Sequence, residues 1–393
     1  MPTFRVAVVA GDGIGPEVTA AAQRVLEAAG RRYAFEIEWH AIVAGGAGIE
    51  AYGTALRAED LKRCADMDAV LLGAVGGPRW DDPSAAIRPE EALLALRQGL
   101  GLFANLRPIV AEPLLEDSSP LRPERIRGVD LLIVRELTGG LYFGPRAEAE
   151  NHTTPAGRAA RDTLPYHETE IRRVVQLAFQ LARGRRGRVT SVDKANVLAT
   201  SRLWRTVASE IGLAEPDIQL DHRLVDSCAM ALITQPAGFD VIVTENLMGD
   251  ILSDEASVLA GSLGMLASAS LGERRTAWGT FGLYEPVHGS APDIAGCDRA
   301  NPIGAILSAA LLARWSLGRT DAAEGIERSV RAALRDGHRT ADLAGAGGAE
   351  TATGTRAFTD VVVAALVGSD ASSERAHSSV GDGSAGDRLE VLA

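Results

Sequence analysis

Phe4-Arg5-Val6-Ala7-Val8-Val9-Ala10 runs without a break into Gly11-Asp12-Gly13-Ile14-Gly15-Pro16-Glu17. The first run is short, apolar and valine-rich, which makes it a strand and not a signal sequence. Pro16 fits a first helical position, where its missing N–H is not needed, and Glu17 suits the positive end of a helix that continues to Gly30. A strand, a glycine turn and a helix make the opening unit of an α/β fold. The turn has the spacing GxGxG, so the GxGxxG fingerprint of the Rossmann dinucleotide fold is not met.

Outward from this unit, strand-like and helix-like segments alternate. Ala69–Leu72, Val129–Val134, Arg188–Val192 and Phe239–Thr244 read as strands; Glu90–Gln98, Ile171–Arg183, Ile303–Leu317 and Ala322–Arg335 read as helices. The strands end at polar clusters, where α/β proteins often place their sites. Gly368–Arg388 is rich in Ser, Gly and Asp, and the tail 368–393 reads as disordered.

The length of 393 residues suits about two domains. Asp and Glu number 52 against 40 Lys and Arg, a net charge of -12, which argues against a nucleic-acid partner. No apolar run is long enough to cross a membrane. Cys64, Cys228 and Cys297 are widely spaced and form no zinc motif, which suits a reduced, cytoplasmic protein. Of the basic residues 38 are Arg and only Lys62 and Lys194 are Lys. Only Lys readily gives up its proton near neutral pH, so a lysine that escapes this bias marks its position.

The densest acidic signal is Asn246-Leu247-Met248-Gly249-Asp250-Ile251-Leu252-Ser253-Asp254, just after the strand Phe239–Thr244. In a helix starting near Gly249, Asp250 and Asp254 share one face. Their like charges repel unless a cation or a basic group lies between them, and carboxylate oxygens are what a hard divalent cation takes. The same spacing also suits a solvated acidic helix start. Arg97 closes the helix Glu90–Gln98, Arg107 lies in Leu102–Pro108, and Arg135 follows the strand Val129–Val134. Converging guanidinium groups would clamp carboxylates; taken singly, each reads equally as a surface arginine. Lys194, in Val192-Asp193-Lys194-Ala195-Asn196-Val197, is either a proton acceptor or a surface lysine, and Tyr142 either an acid or a packing residue. The segment Tyr284–Gly296 is loop-forming; in it His288 and Asp293 have the chemistry to meet a ribose, or the whole is an ordinary surface loop.

Taken together these segments resemble the isocitrate/isopropylmalate dehydrogenase family of decarboxylating dehydrogenases, from about Phe4 to Val367. The motifs that carry the resemblance are GDGIGPEV (Gly11–Val18), LFANLRP (Leu102–Pro108), VRELTGGLYFG (Val134–Gly144), SVDKANVL (Ser191–Leu198), GDILSDEAS (Gly249–Ser257) and EPVHGSAPDIAG (Glu285–Gly296). The resemblance implies a two-domain, non-Rossmann α/β fold. Residues 1–102 plus 261–366 would form the large cofactor-binding domain, and 103–260 the small domain with the dimer interface. It further implies a homodimer with shared active sites. Arg97, Arg107 and Arg135 would hold the substrate carboxylates. Asp250 and Asp254, with Asp226 from the partner subunit, would bind Mg²⁺ or Mn²⁺, Asp226 also bordering the substrate. Lys194, again from the partner, would be the base and Tyr142 the acid. Ile14, Gly76, Glu90, Asn196, His288, Gly289, Ser290, Ala291, Asp293, Ile294 and Asn301 would line the cofactor.

The activity implied is oxidative decarboxylation of (2R,3S)-3-isopropylmalate to 4-methyl-2-oxopentanoate in leucine biosynthesis. Leu93 and Leu94, with Val197 opposite, would make an apolar pocket that disfavours the extra carboxylate of isocitrate. Asp293 accepts from a ribose 2′-OH and repels a 2′-phosphate, which points to NAD. Met248 and the additional charge of Glu245 depart from the family pattern, as does Asn151–Pro155. Such departures leave room for a relative acting on 3-benzylmalate, D-malate or tartrate. A non-catalytic subunit of the same fold would be expected to lose an Asp, the Lys or the Tyr, and a plain nucleotide- or metal-binding module leaves the co-occurrence of these sets unexplained.

Overall fold

The computed structural model describes residues 1–82, 85–149, 153–344 and 351–368. The chain opens with β1 (Thr3–Gly11), α1 (Gly15–Tyr33), β2 (Glu36–Ile42), α2 (Gly46–Tyr52), α3 (Ala58–Ala65), β3 (Ala69–Ala74) and α4 (Glu90–Gly99). It continues with β4 (Leu102–Val110), α5 (Pro123–Ile126) and β5 (Asp130–Glu136). The short strands β6 (Arg146–Ala147), β7 (Thr153–Thr154), β8 (Gly157–Arg158) and β9 (Arg161–Asp162) make an arm in which β6 pairs with β9 and β7 with β8. After the arm come α6 (Glu168–Arg183), β10 (Arg188–Asp193), α7 (Ala199–Ala214), β11 (Gln219–Leu224), α8 (Val225–Thr234), β12 (Val241–Thr244) and α9 (Asn246–Ser257). The last elements are β13 (Ala267–Arg275), β14 (Thr280–Pro286), α10 (Ile303–Trp315), α11 (Thr320–Arg335) and α12 (Thr355–Gly368).

Ten strands form one sheet in the order β11-β10-β12-β5-β4-β13-β14-β3-β1-β2. The outer strands pair in parallel, whereas β4 is antiparallel to both β5 and β13, and β13 to β14. Strands from 102–244 thus make one half of the sheet, and strands from 3–74 and 267–286 the other. Both faces are covered by helices, so β3 and β12 are buried along their whole length and read as unbroken apolar runs. Alternate residues of β1 serve different cores. Phe4 and Val6 face the helix layer that includes α1, and Ala7 and Val9 enter a second cluster with Val70 and Leu72.

The strands and helices expected from the sequence appear with small shifts of their ends, but residues 284–286, expected as the start of a loop, are the last residues of β14. The strand β4 was not foreseen as such, because Asn105, Arg107 and Pro108 interrupt its apolar pattern; it is nonetheless the strand that joins the two halves. Gly368 is the last helical residue of α12 and not the first of a tail, and the rest of the expected tail, 369–393, lies outside the described residues. Asn151 and His152 lie outside them as well. Among the described residues no helix is long and apolar enough to cross a membrane.

The β1–α1 turn is fixed by close backbone approach. Gly11 has φ +73°, and a Cβ there would sit 1.9 Å from the carbonyl oxygen of Ala74. The next residue, Asp12, donates its N–H to that oxygen, and its carboxylate accepts from the backbone N–H groups of Gly46, Ala47 and Gly76 at 2.8–2.9 Å. One buried carboxylate therefore ties three loops at the end of the sheet. Gly11→Ala combines left-handed strain with overpacking and is expected to lower stability by at least about 2 kcal/mol. A urea unfolding curve checks this; an unmoved midpoint contradicts the assigned backbone geometry.

Candidate active site

Helix α9 begins at Asn246, three residues earlier than its sequence suggests, because Glu245 caps it. The Glu245 carboxylate accepts from the N–H groups of Leu247 and Met248 at 3.0 and 2.8 Å. The residue that looked like an additional charge near the acidic motif thus satisfies orphan donors of the helix end. The helix presents Asp250 and Asp254 on one face, toward the end of β4 and β5. Gly249 permits this approach, since a Cβ there would lie 2.7 Å from Cγ of Arg135.

Asp250 is the centre of the arrangement. Arg135 donates to its Oδ1 through Nη1, Arg107 Nη2 reaches the same oxygen at 3.4 Å, and the Tyr142 hydroxyl donates to Oδ2 at 2.7 Å. Burial alone would raise the pKa of Asp250, but Arg135 and Arg107 outweigh it and hold the carboxyl below its ordinary range. Asp254 is more exposed and accepts from Arg107 Nη1 at 3.1 Å; burial first, and Asp250 as a like charge, push its pKa up.

The guanidinium groups are themselves held from behind. Arg107 Nε donates to Asn105 at 2.8 Å and Nη1 to Ser253 Oγ at 2.6 Å. Arg135 is only 1% exposed, and its Nε and Nη2 both donate to Asn246 Oδ1, at 3.1 and 2.7 Å. Burial, then the neighbouring Arg107, push its pKa down to about 10. Arg97 is buried too and donates to Glu285 Oε1 at 3.0 Å. The Tyr142 phenol is pushed up to about 12 by burial and then by Asp250, so it stays protonated at neutral pH.

These groups line a cavity of about 420 Å³. It brings together Leu93, Leu94, Arg97, Arg107, Arg135, Tyr142 and Asp250 with Glu90, His288 and Gly289. Asp254 borders it through Arg107. Gly76 adjoins Glu90, since a Cβ on it would be 3.1 Å from Glu90 Oε1. Ile14 donates its N–H to Ser290 O at 2.8 Å, tying the first turn to the loop after β14. In that loop Ala291 has φ +36°, Asp293 is exposed on a short 3₁₀ turn with Ile294, and Asn301 bonds Asp342 at 2.9 Å. Burial lowers the pKa of His288. Its Nδ1 contacts Gly289 O at 2.9 Å, and because a carbonyl only accepts, Nδ1 carries the proton. The other ring nitrogen, Nε2, is a buried acceptor without a partner among the described residues.

Lys194, Asn196, Val197 and Asp226 do not line this cavity. Lys194 Nζ instead donates to Asp226 Oδ1 at 2.7 Å, and that bond lowers the pKa of Asp226. Asn196 and Val197 are exposed. Among the described residues no group of three His, Cys, Asp or Glu side chains stands ready for a metal ion. Asp250 and Asp254 offer oxygen donors only, the kind that a hard divalent ion takes, and would need a further ligand from elsewhere.

Sequence reasoning missed Glu285, Asn246, Tyr166 and Arg146 as parts of the site. Glu285 and Asn246 stand inside quoted motifs, but their partners lie 188 and 111 residues away, beyond any local pattern. Tyr166 donates to Glu136 at 3.0 Å and accepts from Asn246 N at 3.0 Å, and so anchors the start of α9. Arg146 lines the cavity from the arm.

The sequence profile of the isocitrate/isopropylmalate dehydrogenase family matches residues 5–362. The 3-isopropylmalate dehydrogenase of Anaeromyxobacter dehalogenans is 58% identical over 363 residues, covering 92% of this chain and 99% of that protein. The 3-isopropylmalate dehydrogenase of Geobacillus kaustophilus is 56% identical over 88% of this chain and 92% of that protein. Among solved structures, the isocitrate dehydrogenase of Methylococcus capsulatus superposes with a TM-score of 0.80 at 35% identity, over 93% of this chain and 99% of that one. The apo form of a beta-decarboxylating dehydrogenase from Thermococcus kodakarensis gives 0.74 at 36% identity, over 94% and 98% of the two chains. The chain belongs to the isocitrate/isopropylmalate dehydrogenase family and is an oxidoreductase with its α/β fold.

Asn246→Ala removes the shared acceptor of two N–H groups on a buried guanidinium. A loss of roughly 2–3 kcal/mol is expected, from the size of an unsatisfied charged donor. Chemical denaturation of the ligand-free protein checks it, and in the double variant with Arg135→Ala the two losses should fall well short of additive.

Proposed function

We propose that this protein carries out NAD-dependent oxidative decarboxylation of (2R,3S)-3-isopropylmalate to 4-methyl-2-oxopentanoate, CO₂ and NADH, the reaction of leucine biosynthesis. The observation that carries this reading is the set Arg97, Arg107, Arg135, Tyr142 and Asp250 around one cavity whose wall also holds Leu93 and Leu94. The names of the relatives at 58% and 56% identity support it. Leu93 and Leu94 favour an isopropyl group over a third carboxylate, because an apolar wall does not repay the desolvation of a charge. Val197, from the partner subunit, would face them.

Asp250 and Asp254, with Asp226 of the second subunit, would hold Mg²⁺ or Mn²⁺; their oxygen-only donor set fits such an ion. When bound, such a metal would supply Lewis-acid polarisation of the substrate's C2 oxygen, and a nicotinamide would supply the hydride acceptor. Arg97, Arg107 and Arg135 bind and orient the two carboxylates. Lys194 of the second subunit takes the C2 hydroxyl proton as that carbon is oxidised. The C3 carboxyl then leaves as CO₂, its bonding electrons forming an enolate, and Tyr142 gives a proton to C3, which yields the ketone. The Tyr142 pKa of about 12 suits a proton donor that must remain protonated until then.

On the cofactor side, Glu90, His288 and Gly289 line the cavity; Ile14, Gly76, Ser290, Ala291, Ile294 and Asn301 would complete the cofactor's surroundings, with Asn196 of the second subunit at the nicotinamide end. The unpartnered Nε2 of His288 would accept from a cofactor hydroxyl. Asp293 would meet the ribose 2′-OH and disfavour NADP. Two domains, 1–102 plus 261–366 and 103–260, would flank the cleft. The homodimer is supported by large apolar side chains left in solvent, namely Met230 (64% exposed) on α8, Ile251 (59%) on α9 and Val197 (62%) beside Lys194. A reduced, cytoplasmic setting fits the free cysteines.

NADH formation with 3-isopropylmalate and Mg²⁺ tests the reading. EDTA should abolish it and Mn²⁺ or Mg²⁺ restore it. If 3-benzylmalate, D-malate or tartrate gives the higher kcat/KM, the substrate assignment fails. Lys194→Ala and Tyr142→Phe should each lower kcat by about 10²–10⁴-fold with an unchanged thermal midpoint. Retained turnover in either variant removes that residue from its assigned role.

A further inference from the structure

Four arginines line the cavity, and they differ in how their charge is met. Arg97 is paired with Glu285, Arg107 with Asp250 and Asp254, and Arg135 with Asp250. Arg146, which starts β6 of the arm, has no carboxylate partner among the described residues. Its one bond runs from Nη2 to the backbone oxygen of Tyr142 at 2.8 Å. The three paired arginines are buried, while Arg146 is exposed. Among the described residues the cavity therefore has one open cation, and the chain's own geometry hangs it on the residue assigned as the acid.

We infer that Arg146 is a further substrate-recognition residue that binds a carboxylate of the dicarboxylate substrate at the cavity entrance. The inference rests on the function proposed above and deepens it. A protein of net charge -12 repels a dianion at long range, so capture needs a local uncompensated positive charge. The buried arginines serve poorly there, because their fields are largely cancelled by the carboxylates beside them. An exposed guanidinium keeps most of its donors free and matches a carboxylate with two parallel bonds. The carboxylate and not the dinucleotide phosphate is the group bound, because Arg146 enters with Tyr142 from the segment after β5. The residues assigned to the cofactor come from the segments after β1, β3 and β14 and, in the second subunit, after β10.

The test compares wild type, Arg146→Gln, Arg146→Lys and, as a control, Arg158→Gln, which removes an exposed arginine of the same arm outside the cavity lining. Arg146→Gln should raise the KM for 3-isopropylmalate about tenfold, the size of one charge-assisted contact. The kcat, the KM for NAD and the thermal midpoint should stay within about twofold or a degree or so of wild type. It should also flatten the ionic-strength dependence of kcat/KM, whereas Arg146→Lys keeps that dependence and regains part of the KM. Calorimetric binding of 3-isopropylmalate with Mg²⁺ should weaken by the same factor. An unmoved KM in Arg146→Gln, an equal effect in Arg158→Gln, a rise in the KM for NAD instead, or a fall in kcat alone each overturns the inference while leaving the proposed reaction standing. Wild-type protein that neither binds nor turns over 3-isopropylmalate overturns both.

Discussion

The Asp250 carboxylate is the point on which the site is built. Arg135 and Arg107 share one of its oxygens and the Tyr142 hydroxyl takes the other. Each of these donors sits on a different element, β4, β5 or the turn after β5, and Asp250 itself on α9. A carboxylate this enclosed would be unfavourable alone, and a guanidinium 1% exposed would be worse. Removing Asp250 or either arginine leaves a charge short of its partner, so the charged core of the cluster is stable only whole. That constraint fixes the angle at which α9 meets the sheet and makes a glycine necessary at 249.

Behind this cluster, further buried polar groups set the direction of its members. Asn246 holds two donors of Arg135, Tyr166 holds the Asn246 N–H, and Glu136 accepts from Tyr166 as well as from Thr138 and Gly139. Glu245 closes the helix end. The continuous ten-stranded sheet brings these pieces together by running β4 antiparallel between β5 and β13. One strand thus carries Arg107 at the junction of two halves that are far apart in sequence.

Much of this was legible in advance. The valine run Phe4–Ala10, the proline-led helix after it and the apolar strands at 69–72 and 239–244 follow from local pattern, because parallel strands buried on both faces have no polar face to hide them. Asp250 and Asp254 were legible as a pair from their spacing alone. What the pattern could not supply was long-range pairing. The tie of Arg97 to Glu285, of Arg135 to Asn246 and of Asp12 to two other loops depends on contacts between 34 and 188 residues apart. The strand β4 escaped notice for a related reason, since buried Asn and Arg mimic a loop when their partners are unknown. The split of 38 Arg to 2 Lys also gains a meaning. In the proposed reaction permanent charges would bind the carboxylates, and Lys194 stands with Asp226 away from that cluster within one chain.

In the proposed reaction that separation calls for two subunits to complete each site. Lys194→Ala and Asp250→Asn protein, each inactive alone, can be mixed, dissociated and reassembled. Subunit sharing predicts about a quarter of the wild-type activity, from one intact site in the mixed half of the dimers. No recovery at full reassembly would contradict it.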